Sequence, residues 1–339
     1  MFSFEGFLDL PLIWFGLITM AIFLYVILDG FDLGVGILFP FAPSDKCRDQ
    51  MMNSIAPFWD GNETWLVLGG GGLFAAFPLA YAVLMPAFYI PVILMLLGLV
   101  FRGVAFEFRF KATGTMQKFW DWAFHVGSLV AAFSQGVVLG GVIQGIKVQG
   151  RSYAGSGFDW LNAFSIMTGL ALVCGYALLG STWLVMKTED DTRRWARRGA
   201  TLFLGFVAAF MLLVSLSTPL INEGIKSFWF SWPNIILLSP LPLLAAGMLV
   251  LLWHDLRHRH EYRPFFLSLG IFLMNYIGLG ISIWPWLVPY EITFRQAAAS
   301  PQSQSLLLIG AAISLPLVLS YTAYCYYVFR GKTSHEALY

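Results

Sequence analysis

A chain of 339 residues that is 58% hydrophobic and only 12% charged lies outside the composition of soluble domains. Its formal net charge is +1, and its Lys and Arg residues fall in short loops, which excludes a basic nucleic-acid-binding face. Its long continuous apolar runs select membrane-spanning helices over a membrane barrel, whose strands would be short and alternating.

In chain order, about nine spans are predicted, near residues 10–30, 54–74, 79–101, 122–145, 160–186, 200–220, 234–253, 265–288 and 305–329. The predicted fold class is therefore all-α: a polytopic transmembrane helical bundle, with residues 1–339 forming a single integral membrane domain. The first basic residue is Lys46, so the first run lacks the basic leader of a cleavable signal and is expected to stay as a span. Trp120 with Trp122, Trp229 with Trp232, and Trp284 with Trp286 sit at span ends, as interfacial aromatic residues do. The longest break, around 187–199, reads as a basic loop, and no internal repeat is detectable. Sixteen of the twenty Lys and Arg residues fall in alternate loops and the C-terminal tail. Positive charge is retained on the cytoplasmic side, so the N-terminus is predicted outside and the C-terminus in the cytoplasm.

Charged side chains inside spans are expensive, and their positions point to function. Asp29 and Asp32 lie at the inner end of the first span at i,i+3 spacing, on one helical face, and Asp60 and Glu63 repeat that spacing in the second. If the second span starts near Asn53, Asp60 lies roughly 10 Å deep. These four acids are the candidates for a proton path, with Asp60 favoured by its depth, because a carboxyl group in a low-dielectric site can exchange a proton. Asp32 fits a helix cap or interfacial hydrogen-bond anchor better. Arg102 and Glu107 are expected to end the third span on the same side, with Arg102 acting mainly as an interfacial anchor and either residue able to pair with the acids. Gly34, Gly36 and the run Gly69–Gly72 allow close helix contact, and Gly70 is expected near the acids. That run lacks the Lys-Ser/Thr ending of a phosphate loop.

Three widely separated cysteines, Cys47, Cys174 and Cys325, match no metal or redox spacing. Of five histidines, His254, His258 and His260 fall in a basic loop and His335 in the tail, leaving His125 alone near a span, where packing explains it. No metal ligands and no residues acting directly in catalysis are assigned. The chain by itself is not expected to hold redox hemes.

The segments Asp29-Gly30-Phe31-Asp32-Leu33-Gly34-Val35-Gly36, Asn53-Ser54-Ile55-Ala56-Pro57-Phe58-Trp59-Asp60-Gly61-Asn62, Leu73-Phe74-Ala75-Ala76-Phe77-Pro78, Phe101-Arg102, Trp120-Asp121-Trp122 and Tyr321-Thr322-Ala323-Tyr324-Cys325-Tyr326 together resemble subunit II of cytochrome bd-type quinol oxidases. The agreement is dense in the N-terminal third and thin beyond it. The resemblance implies a multi-pass subunit of the bacterial cytoplasmic membrane, paired with a subunit I that carries heme b and heme d, oxidises quinol and reduces dioxygen to water. It allows a small single-span accessory subunit and a bound quinone, although no motif places a quinone in this chain. It assigns the acid at Asp60 to proton delivery from the cytoplasm, with Trp59, Asn62, Arg102 and Glu107 as structural candidates. The short segment 221–233 departs from longer family members and looks more like the cyanide-insensitive branch. Two other readings compete. One is a purely structural scaffold for subunit I. The other is a proton-coupled secondary transporter, which the clustering of the acids toward the cytoplasmic ends argues against.

Overall fold

The computed structural model describes residues 9–333. The first half of the chain forms α1 (Leu10–Leu38), α2 (Asp45–Ile55), α3 (Trp59–Ala76), α4 (Pro78–Ala87), α5 (Tyr89–Arg109), α6 (Thr115–Gln144) and a hairpin of β1 (Val148–Gln149) with β2 (Ser152–Tyr153). The second half forms α7 (Ala163–Lys187), α8 (Asp190–Ile221), α9 (Glu223–Trp229), α10 (Asn234–Leu238), α11 (Pro240–Arg257) and α12 (Arg263–Ile283). A hairpin of β3 (Trp286–Val288) with β4 (Ile292–Thr293), the short α13 (Phe294–Ala297) and α14 (Pro301–Val328) complete it. Among the described residues eight helices are long and apolar enough to cross a membrane, and nine crossings result if the bent pair α3 and α4 counts as one.

Three expectations require correction. The second span does not begin near Asn53: residues 45–55 form the separate helix α2, capped by Ser44, and Pro57 interrupts the chain before α3 starts at Trp59. The predicted third span is also divided. Pro78 opens α4, which turns by 120° from α3, and α5 begins only at Tyr89 and runs on to Arg109. Arg102 is therefore about 10 Å inside the end of α5, at 1.5 Å per residue. Finally, the basic stretch 187–199 is not a loop. Asp190 and Asp191 fill the first turn of α8, where carboxylates favour a helix N-terminus, so Arg193, Arg194, Arg197 and Arg198 are helical.

α1 is the central helix, packed against α3, α6, α7, α12 and α14. From Asp29 to Leu38 every residue is buried, so this half has no outward stripe. Its approach to α7 is close enough to require glycine: a Cβ on Gly34 would lie 1.8 Å from the Tyr176 carbonyl oxygen, and one on Gly180 would lie 2.4 Å from the Gly34 carbonyl carbon. Small residues at such crossings let helix backbones meet without a hydrophobic drive between them. Gly69 and Gly72 face Ile22 and Ile18 of α1, whereas Gly70 meets nothing within 4 Å, so the glycine contact lies at Gly34 and not at Gly70. The outer faces of α8, α11, α12 and α14 are apolar and exposed, as lipid- or partner-facing surfaces are.

Both ends are tied by ion pairs. At the end rich in Lys and Arg, buried Arg109 joins Asp49 at 2.7 Å and Asp121 at 2.6 Å, linking α2, α5 and α6. At the opposite end Arg295 grips both carboxylate oxygens of Asp9, the residue that also caps α1.

Candidate functional site

The continuous helix α1 decides the geometry. Because it runs to Leu38, Asp29 and Asp32 lie within the helix and cap nothing, which overturns the capping reading of Asp32. Both are buried, at 0% and 1% exposure. Arg102 of α5, itself 2% exposed, donates from Nη1 to Asp29 Oδ1 at 2.7 Å and from Nη2 to Glu63 Oε1 at 2.6 Å. It is thus a buried clamp between α1 and α3 and not an interfacial anchor. Asn62, one residue before Glu63 on α3, donates from Nδ2 to Asp32 Oδ2 at 2.7 Å and to the Leu28 carbonyl at 3.2 Å. Its own carbonyl accepts from the Tyr326 hydroxyl of α14 at 3.1 Å.

A polar branch lies beside the acids. Tyr25, one turn before Asp29, accepts from Gln135 Nε2 at 2.8 Å, and Tyr176 donates to Gln135 Oε1 at 2.7 Å, joining α1, α6 and α7. Tyr25, Gln135, Tyr176 and Tyr326 were not predicted. Gln135 carried a readable signal, an amide in mid-span, and Tyr326 lies within a quoted family segment. The tyrosines of α1 and α7 looked like ordinary apolar filling.

The charge balance of the centre is uneven, with three carboxyl groups sharing one guanidinium. Full ionisation would leave two uncompensated negative charges. Two carboxylates about 6 Å apart, the spacing of i,i+3 neighbours, repel by roughly 3 kcal/mol at an effective dielectric of about 20. Asp29 Oδ2 and Asp32 Oδ1 are buried and make no hydrogen bond among the described residues. An arrangement of this kind can store and pass a proton, since protonating one carboxyl group relieves repulsion without breaking the Arg102 clamp.

The remaining predicted residues separate by exposure. Glu63, 28% exposed, spans the boundary between the buried acids and the outer face of α3. Asp60 is exposed, in the first turn of α3, on the same face one turn before Glu63. The depth expected for it fails because α3 starts at Trp59. Trp59 packs on Phe106 at 5.2 Å between ring centroids and serves the α3–α5 contact. Glu107 is exposed on the far side of α5, beside Phe110 and Lys111, and does not join the acids.

His125, in α6, faces the Gly36 carbonyl through Nδ1 at 3.3 Å and is flanked edge-on by Phe41 and Trp122, while His254, expected in a loop, falls in the last turn of α11, which runs on to Arg257. No set of three or more His, Cys, Asp or Glu side chains among the described residues is arranged to hold a metal ion.

The fold and its buried ionic centre define a polytopic helical membrane subunit in which Asp29, Asp32 and Glu63 are gathered around Arg102. The same architecture is found in the structure of bd oxidase from Geobacillus thermodenitrificans, with a TM-score of 0.74 at 17% identity, covering 95% of this chain and 99% of that one. Residues 10–329 match the family of cytochrome bd terminal oxidase subunit II. Cytochrome bd-I ubiquinol oxidase subunit 2 of Escherichia coli K12 is 30% identical over 363 residues, covering 96% of each chain. Cytochrome bd ubiquinol oxidase subunit 2 of Bacillus subtilis 168 is 30% identical over 335 residues, covering 96% of this chain and 97% of that one. The chain belongs to the cytochrome bd terminal oxidase subunit II family. It is one subunit of a multi-subunit bacterial respiratory oxidase, and the family implies hemes in that complex and a subunit I as partner.

Proposed function

We propose that this chain supports a heme b- and heme d-bearing subunit I in a quinol-oxidising, dioxygen-reducing complex of the cytoplasmic membrane, and that it leads protons toward the shared interface. The observation that carries the proposal is the graded set of acids: Asp60 exposed, Glu63 at the boundary, Asp29 and Asp32 buried around Arg102. Asp60 collects the proton, Glu63 passes it inward, and Asp29 with Asp32 form the buried reservoir. The concentration of Lys and Arg at one end of the bundle supports an external N-terminus, a cytoplasmic C-terminus and uptake from the cytoplasm. The relatives' names support quinol as the electron donor.

A scaffold role is the second reading, favoured by Arg102, whose buried charge is fully engaged in pairing α1, α3 and α5. Asp60→Asn separates the two, because it keeps shape and removes the exchangeable proton at an exposed site. Under the relay reading, turnover with quinol falls severalfold while heme content and heme reduction by quinol persist. Wild-type oxygen consumption with an unchanged pH profile favours the scaffold. Expressing subunit I with and without this chain, and measuring heme content, tests the supporting role directly.

A further inference from the structure

Where α7 ends, its last residue meets the chain leaving α14. Lys187 is 4% exposed, and its ammonium donates to the carbonyls of Phe329 and, at 2.7 Å, Gly331. The rings of Trp183 and Phe58 lie 5.5 and 5.7 Å from it. The carboxylate of this corner, Glu261, is taken by Lys332 at 2.7 Å and by Arg193. Among the described residues no carboxylate pairs with Lys187. A desolvated cation without a counter-charge is unfavourable, and an ammonium has three donors, of which two are used here.

A cavity of about 250 Å³ opens at this point, lined by Lys187 and Lys332 together with an apolar wall of Phe58, Val328 and Phe329. Two lysines and an apolar wall at the basic boundary of a membrane bundle suit a phosphate attached to an apolar body better than a wholly hydrophobic ligand. We propose that this cavity binds a phosphate group, presented by the headgroup of an anionic phospholipid, with Lys187 and Lys332 as its cationic contacts. The lipid would supply a counter-charge to Lys187, which pairs with no carboxylate among the described residues, and brace the junction of α7, α14 and α2. This site is separate from the acid cluster, so it stands or falls independently of the proton reading.

The test uses the intact oxidase complex, stripped of lipid in detergent and then titrated with phosphatidylglycerol, phosphatidylcholine or inorganic phosphate. Native mass spectrometry reads the bound species and thermal inactivation reads the effect. Phosphatidylglycerol is expected to stay bound and to protect, whereas phosphatidylcholine does neither. If millimolar inorganic phosphate leaves the lipid in place, the headgroup is the source; if it displaces the lipid and protects equally, a free anion uses the same site. Lys187→Met and Lys332→Gln are each expected to weaken phosphatidylglycerol binding about fivefold, the effect of one cation near a membrane surface. Lys332→Gln, at a side chain that is 24% exposed, keeps the test open if Lys187→Met does not assemble. Absence of protection by either phosphatidylglycerol or phosphate, or variants that bind the lipid as tightly as the wild type, overturns the proposal.

Discussion

Replacing Arg102 with Met removes the partner of two carboxylates at once. Both lost contacts are charge-assisted, at 2.7 Å to Asp29 and 2.6 Å to Glu63, and Asp29 is fully buried, so water cannot take over its solvation. Removing one member of a buried ion pair costs about 3–5 kcal/mol, roughly two to four powers of ten in the folding equilibrium. Glu63 reaches the surface and recovers part of its solvation, so most of the penalty falls on Asp29. A membrane complex unfolds irreversibly, and the quantities to measure are the yield of assembled oxidase and the half-time of inactivation at a fixed temperature. Arg102→Met should assemble poorly and inactivate much faster than the wild type. The variant Arg102→Met/Asp29→Asn/Glu63→Gln leaves no unpaired charge and should recover most of the assembly, because neutral replacement of a whole buried ionic group is far milder than breaking it. If Arg102→Met alone assembles and inactivates like the wild type, the clamp does not hold α1, α3 and α5 together and the reasoning is wrong.

Three further outcomes follow from other parts of the molecule. Gly34→Ala places a Cβ against the Tyr176 backbone and should destabilise the α1–α7 crossing by about 1–3 kcal/mol, read as lost assembly, whereas Gly205→Ala, with nothing within 4 Å, should be neutral. The Lys332 ammonium hydrogen-bonded to Glu261, together with Arg193 and Arg197, holds that carboxyl group below its usual 4.5. A depressed value means its stabilisation is complete above about 4.5 and is lost as pH falls through the lowered value. The difference in inactivation temperature between wild type and Glu261→Gln should therefore be constant above pH 5 and shrink below the usual glutamate range; a difference that grows on acidification contradicts the pairing. Tyr326→Phe removes the donor to Asn62 and should leave assembly intact within about 0.5–1.5 kcal/mol while loosening the Asn62–Asp32 contact, measurable as a shift of the Asp32 carboxyl band in infrared difference spectra.

The sequence made the helical membrane class plain because hydrocarbon thickness sets span length directly. It also placed Asp29, Asp32, Glu63 and Arg102 in one neighbourhood, since charged residues in apolar runs are conspicuous, whereas Asn62 entered only through the family resemblance. The errors came from where helices begin and end. Pro57 divides an apolar stretch that hydropathy alone joins, which moved Asp60 from an expected interior position to the first turn of α3, while a break at Phe88 splits the predicted third span and α5 runs on to Arg109, leaving Arg102 deeper than expected. Pairings between distant segments, such as Gln135 with Tyr25 and Tyr176 or Arg109 with Asp49 and Asp121, depend on helix rotation and crossing, which a linear pattern does not specify.

The measurement that bears most directly on the central claim is proton uptake from solution during a single turnover of the fully reduced complex with dioxygen, followed by a pH-indicator dye. In the wild type, uptake should keep pace with oxygen reduction. In Asp60→Asn, with hemes present and reduced by quinol as in the wild type, uptake should lag by at least severalfold, and Glu63→Gln should lag in the same way. Uptake in both variants at the wild-type rate across the pH range would contradict the account and leave the buried acids and Arg102 as a structural clamp.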